Sequence, residues 1–173
     1  MSVLAVATMS AGCTLPSKSG SQQTGSYSGG LSSGASSRAA APAGSTVRDG
    51  KFEFQVLNIT QTSQVDDPDG NPYVQPVKPQ GVFYVVTMSV RNIGDKPQTY
   101  FGQNQKLIDS SGRQYGSHFQ ADMRFGPNNL TADINPGLSI QVRDAFDVPP
   151  GTSASKLELH DSAFSGGATI LLS

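Results

Sequence analysis

Few residues in this chain are of a type and spacing that could do chemistry. The densest run of oxygen donors is Asp66-Asp67-Pro68-Asp69-Gly70-Asn71. Carboxylates and an amide on a tight turn suit a hard cation such as Ca²⁺, which takes about six to eight oxygens. An EF-hand loop would need a closing Glu and flanking helices, and both are missing. Asp-Gly and Asn-Pro are ordinary turn chemistry. The run therefore reads first as a plain turn, with Asp66, Asp67, Asp69 and Asn71 as a weak calcium candidate and no other metal site. The only histidines are His118, between Ser117 and Phe119, and His160, in Leu157-Glu158-Leu159-His160-Asp161. Nothing in their spacing sets a base beside a nucleophile, so both read as surface or edge histidines. The competing reading is a small hydrolase or ligand-carrying enzyme with one of them beside a carboxylate in a concave pocket.

Gly30-Leu31-Ser32-Ser33-Gly34 matches the G-x-S-x-G of a nucleophile elbow. That motif works only where a buried strand turns sharply into a helix. Here it lies in a Ser/Gly tract, where such a match arises from composition. No H-E-x-x-H, phosphate loop or dinucleotide fingerprint occurs. The expectation is a non-enzymatic protein without a cofactor.

The bulk properties narrow the class further. A chain of 173 residues allows one ordinary domain with a tail. A net charge of −1 argues against nucleic acid, whose phosphates require a basic face. All 13 acidic residues lie from Asp49 onward, whereas residues 1–46 hold only Lys18 and Arg38 as charged groups. A single Cys excludes an internal disulfide and any multi-cysteine metal site. No apolar run is long enough to cross a membrane as a helix.

That Cys sits at the end of an apolar run of small residues, Met1-Ser-Val-Leu-Ala-Val-Ala-Thr-Met-Ser-Ala-Gly-Cys13. The run resembles the end of a bacterial lipoprotein signal peptide, in which small residues precede a Cys that becomes lipid-modified. Ala11, Gly12 and Cys13 match; Ser10 departs, since Leu is preferred there. The basic leader is missing and the apolar run is short, so the true start is expected upstream of Met1. The resemblance implies acyl chains on Cys13 and a protein held to the extracytoplasmic face of a bacterial cell membrane. Two chains give stable anchoring where one gives only marginal binding. Residues 14–46 are rich in Ser, Gly and Ala and carry almost no bulky apolar side chain. They read as a disordered linker of about 30 Å r.m.s. span.

Residues 47–173 read as strands. In 81–95, Val82, Tyr84, Val86, Met88 and Val90 share one side at period two, with Thr87, Ser89 and Arg91 on the other. That alternation marks a strand packed on one face and wet on the other. In 51–59, Phe52, Phe54 and Val56 alternate and the pattern then slips to Leu57 and Ile59, which predicts a β-bulge. Short strands follow at 97–101, 105–109 (Leu107 buried), 113–115 and 130–134. A long one at 138–148 carries Leu138, Ile140, Val142, Phe146 and Val148 inward, with Asp144 breaking the face as a twist or strand end. Segments 156–160 and 168–172 complete the set. No window shows a helical period. Seven to nine strands with turns every 8–12 residues indicate an antiparallel Ig-like β-sandwich.

Residues 81–172 resemble a family of bacterial secreted or lipid-anchored Ig-like domains, described as telokin-like, related to a small immunoprotective antigen secreted by mycobacteria and catalogued as a domain of unknown function. The carriers are Val90-Arg-Asn92-Ile-Gly94-Asp95-Lys-Pro97, Leu107-Ile-Asp109-Ser-Ser-Gly112, Asn135-Pro136-Gly137 and Phe146-Asp-Val148-Pro149-Pro-Gly151. All are turn formers or core residues, so the resemblance implies fold and envelope location and carries no catalytic residue. Without the Cys and Trp of antibody domains, Phe54, Phe83, Tyr84 and Phe146 are expected to fill the core. Binding is expected at the long irregular stretches 62–80 and 116–129, with Tyr73, Val74, Phe119, Met123 and Phe125 either as an exposed patch or as anchors of the loops. The expected partner is an envelope protein or a glycan, met by a monomer. A passive surface antigen or spacer is the alternative.

Overall fold

The computed structural model describes residues 39–172. Cys13 and its apolar run, the Gly30–Gly34 motif and most of the expected linker lie outside those residues. Among the described residues there are ten strands: β1 (Thr46–Asp49), β2 (Phe52–Thr62), β3 (Val82–Asn92), β4 (Gln98–Phe101), β5 (Lys106–Asp109), β6 (Gln114–Gly116), β7 (Thr131–Ile134), β8 (Ser139–Val148), β9 (Ala154–Leu159) and β10 (Ala168–Leu171). Two antiparallel sheets, β1-β2-β3-β8 and β10-β9-β5-β6, face each other, and β4-β7 forms a separate ribbon. The count exceeds the expected seven to nine because β1, a four-residue edge strand with little periodicity of its own, adds to the strands the sequence marks.

The core between the sheets is built from the inward residues of both. Phe52 and Phe54 of β2, Val86, Met88 and Val90 of β3, Val142 and Phe146 of β8, Leu107, Leu157, Leu159 and Ile170 are all buried in one cluster. Phe52 meets Phe54 and Tyr100 edge-on, with ring centroids 6.0 and 6.4 Å apart. The expected bulge is present: the β2–β3 register shifts between Val56 and Asn58. It turns Leu57 outward, where it is half exposed, and not toward the core. Leu138 is likewise exposed, one residue before β8 begins.

Two other expectations are corrected. Strand β3 is not wet on its second face along its whole length. Phe83 and Val85 are buried there in a second cluster with Val65, Ala121 and Ala145. The cover is a helix, α1 (Phe119–Arg124), together with the loop that follows β2. A six-residue helix is under two turns, too short to leave a period in the sequence. It starts where the His118 side chain accepts a hydrogen bond from the Ala121 N–H (3.3 Å). Asp144, moreover, neither ends nor twists β8 out of the core. It remains on the inward side between Val142 and Phe146, fully buried, and accepts a hydrogen bond from the Tyr100 hydroxyl (2.7 Å).

The turn motifs have structural duties. Asn92 is fully buried. Its amide donates to the carbonyls of Lys96 (2.7 Å) and Ile134 (2.8 Å), and its Oδ1 accepts from the Gly94 N–H (2.8 Å). One side chain thereby closes the β3–β4 turn and ties it to β7. Asp109 accepts from the N–H groups of Ser111 and Arg113 (2.8 and 2.9 Å), from the Arg113 guanidinium and from the Tyr115 hydroxyl. Desolvation pushes its carboxyl up, but those donors outweigh it and hold the pKa at about 2. At Gly81 a Cβ would overlap the Val148 carbonyl oxygen, so only glycine lets the start of β3 close on β8.

Asn92→Ala leaves the Lys96 and Ile134 carbonyls and the Gly94 N–H without their partner. A loss of about 2–4 kcal/mol is expected in urea denaturation. Asp95→Ala, on the exposed part of the same turn, should stay within about 0.5 kcal/mol of the parent.

Candidate functional site

The two irregular stretches, far apart in sequence, form one surface. The Arg124 guanidinium at the end of α1 bonds Asp67 (3.0 Å) and the Gln75 carbonyl (3.3 Å) of the loop after β2. Between this loop and α1 lies an open groove over the outer face of β2, β3 and β8. It consists of two clefts of ≈ 610 and ≈ 430 Å³ that share Asn58, Thr87, Phe125 and Arg143. Asn58 and Thr60 of β2, Thr87 of β3 and Gln141 and Arg143 of β8 belong to its floor. One wall is Phe125 and the 3-10 turn Pro127–Asn129; the other is the segment from Gln64 to Pro68.

The wall beside β8 is held by side chains that stand in for a neighbouring strand. Strand β8 is the last in its sheet, so its outward N–H groups need partners. The Arg143 N–H donates to Asn129 Oδ1 (2.6 Å) and the Ala145 N–H to Asp122 Oδ1 (2.8 Å). The Ala145 carbonyl accepts from the His118 N–H (2.7 Å). On the groove side, the Arg143 guanidinium lies over the Phe125 ring at 4.5 Å, within cation–π distance.

Behind that wall are two buried carboxyl groups. Asp122 and Asp144 are each 0% exposed. Among the described residues, Asp122 Oδ2 and Asp144 Oδ1 have no hydrogen-bond partner. Burial pushes the Asp122 carboxyl up to about 7, against the pull of the Ala145 N–H. Burial, and then the proximity of Asp122, pushes Asp144 well above the usual carboxylate range. The Tyr100 hydroxyl is raised too, by burial and then by Asp144. The pair is sealed from solvent in the fold and supports the wall.

The residues predicted from sequence fall into groups. Tyr73 projects from the loop at 90% exposure, and Phe119 and Met123, one turn apart on α1, are half exposed. These three are surface residues and not anchors. Val74 is half-buried in the loop, and Phe125 packs against the second cluster and forms groove wall, so Phe125 acts as an anchor. Met123 also borders a small cleft with Pro76, Val77 and Lys78. In the acidic turn, Asp67 is engaged by Arg124 and by the Asn71 N–H (3.2 Å). Asp66 accepts from Gln64, and Asn71 Oδ1 from the Tyr73 N–H (3.0 Å). Among the described residues, no group of three or more His, Cys, Asp or Glu is placed to hold a metal ion.

The histidines sit apart from the groove floor. His118 is the helix cap, edge-on to Phe83 (5.2 Å). His160, expected at the surface or an edge, is buried: its Nε2 meets Glu158 (2.8 Å) and its Nδ1 meets Ser165 Oγ (3.3 Å). The order Ser-His-Glu has the outline of a catalytic triad. However, the Ser165 hydroxyl donates to the Ser162 carbonyl (3.0 Å), which aims its proton away from the imidazole. A Cβ at Gly167 would also strike the ring, so backbone fills one side of it. The constellation pins the β9–β10 connection.

Sequence reasoning missed Arg143, Asn58 and Gln141. All three alternate with core residues on long strands, and nothing in the sequence says which part of a sheet's outer face is walled. The slip in the apolar pattern after Val56 was the nearest available signal.

Fold and site define an antiparallel β-sandwich domain of the Ig-like class, with a groove on one outer face. The chain belongs to the family described as Domain of unknown function (DUF4352), whose model matches residues 41–169. It is similar to the yjhA protein of Bacillus subtilis, at 11% identity, covering 77% of this chain and 99% of that one, with a TM-score of 0.54. It is also similar to MPT63, a secreted protein of Mycobacterium tuberculosis, at 17% identity, covering 78% and 97%, with a TM-score of 0.56. A third similar structure is the candidate lipoprotein ycdA of Bacillus subtilis, at 14% identity, 73% and 38% coverage and a TM-score of 0.50. At these identities the likeness shows the fold. No curated protein matches the chain. No helix of the described residues is long and apolar enough to cross a membrane.

Asp122 predicts a particular pH dependence. Its folded pKa of about 7 lies above the unfolded value near 4, so the folded chain holds the proton more tightly. Its contribution to stability is greatest below about pH 4, falls as pH rises through the window to about 7, and is a full cost above it, on the order of 4 kcal/mol. Asp122→Asn retains an acceptor for the Ala145 N–H and cannot ionise. Thermal midpoints measured from pH 4 to 8 should therefore show the variant gaining on the parent as pH rises. A gap that stays constant or reverses would contradict the assignment.

Proposed function

We propose that this protein is a non-enzymatic recognition module of the bacterial cell envelope, lipid-anchored through Cys13 on the extracytoplasmic side of the membrane. In this reading it binds an envelope component in the groove between the post-β2 loop and α1. The observation that carries the reading is the Arg124–Asp67 bridge, which joins the two long connections above a polar sheet face and makes one walled surface from them. Loops on a rigid sandwich are the usual place for binding. The location rests on the run ending at Cys13, and it is supported by the description of MPT63 as secreted and of ycdA as a candidate lipoprotein. Residues 14–38, of linker composition, would let the domain stand off the bilayer.

Expressed in a Gram-positive host behind a complete lipoprotein leader, the full chain with photo-crosslinkers at Leu57 and Gln141 should capture one dominant adduct. Probes at Arg48, on the same sheet but outside the groove, should not. Intact mass should show acyl chains that disappear in Cys13→Ser, with release of the protein from the membrane fraction. Equal labelling from all positions would favour a passive spacer. An unmodified Cys13 would remove the anchor.

A further inference from the structure

The part of the groove toward Gln141 has a definite chemistry. The ≈ 610 Å³ cleft is bordered by no acidic residue and lies in the size range of small-ligand sites. Its charge is Arg143. Among the described residues, Arg48, Arg91, Arg113 and Arg124 each pair with a carboxylate, and Arg143 is the one arginine with no ion pair. It is also held in place. Its backbone N–H is fixed by Asn129 (2.6 Å) and its guanidinium by the Phe125 face (4.5 Å). A guanidinium so oriented offers a planar fork that matches a carboxylate with two parallel hydrogen bonds.

Around it stand the exposed amides Asn58, Asn128 and Gln141, with Leu57 and Pro127 as apolar contacts. An amide both donates and accepts, as a pair of vicinal hydroxyls requires, and the apolar residues suit the C–H face of a sugar ring. The cleft is open along the sheet, which favours an extended oligomer. A single unpaired arginine is too little charge for nucleic acid or for the arginine clusters that read phosphopeptides. The floor is a sheet face and not a sheet edge, so a peptide strand could not extend the backbone ladder there.

Building on the reading of this groove as the recognition surface, we propose that it binds a carboxylate-bearing oligosaccharide, with Arg143 holding the acid group and Asn58, Asn128 and Gln141 holding ring hydroxyls. The test is titration of the ¹⁵N-labelled full chain with two probes. One is a hyaluronan tetrasaccharide, alternating glucuronate and N-acetylglucosamine. The other is chitotetraose, which has the N-acetylglucosamine rings without the carboxylates. Shifts at Asn128, Gln141 and Arg143 are expected with the acidic sugar. Binding should be about tenfold weaker for chitotetraose and for Arg143→Gln, with Arg143→Lys in between. Spectra of both variants outside the groove should match the parent, which separates lost binding from lost fold.

Equal affinity for the two sugars, unchanged binding in Arg143→Gln, or no shift in the groove at millimolar sugar would overturn the proposal. A protein captured by the Gln141 crosslinker, with neither sugar bound, would overturn the glycan assignment and leave the recognition surface standing. Silence in both experiments would remove both.

Discussion

The outer edge of β8 must find hydrogen-bond partners, and the groove on the outer face follows from how it finds them. Among the described residues no further strand pairs along it, and the single antiparallel bridge between Ser117 and Phe146 is its one ladder contact on that side. Asp122 and Asn129 supply acceptors for the N–H groups of Ala145 and Arg143, and the His118 N–H meets the Ala145 carbonyl. Those contacts fix α1 and the following 3-10 turn against the sheet. A bare edge would be a site for uncontrolled strand pairing, so the same contacts protect the sandwich and build one wall of the groove. Arg124 extends the arrangement to the opposite wall through Asp67 and Gln75.

This solution places a carboxylate where water does not reach it. Asp122 serves as an acceptor at an edge that is covered, and Asp144 behind it bonds only the Tyr100 hydroxyl. Two carboxyls in one dry region cannot both ionise without large cost. The domain therefore carries a local instability that begins behind the groove wall at Asp122 and reaches the inward face of β8 at Asp144, beside a core in which Phe52, Phe54, Met88 and Phe146 are fully buried.

Much of the sandwich was legible in the sequence because its cues are local. The period-two run of β3, the slip after Val56, and the turns at Asn92–Pro97, Asp109–Gly112 and Asn135–Gly137 each express a backbone requirement in adjacent residues. Two of the misreadings share one cause: burial set by a distant segment. Phe83 and Val85 are dry because α1 lies over them, and Asp144 is tolerated inside because Tyr100, 44 residues away, is there to bond it. Leu57 and Leu138 are apolar yet exposed because a bulge and a strand start turn them outward. Of the site, Phe125 was found by its type on an irregular stretch. Arg143 was not, since an outward arginine on a strand looks like any solvated residue until the walls around it are known.

The most direct measurement of the central claim is residue-resolved hydrogen exchange of the full chain carrying Asn129→Ala. If edge capping holds the groove wall onto an independently stable sandwich, amides of residues 119–130 and of Arg143 and Ala145 should exchange much faster than in the parent. Those of Val86, Met88 and Val90 in β3 should keep their protection. Uniform acceleration through β3, or unchanged protection at Arg143 and Ala145, would contradict the account.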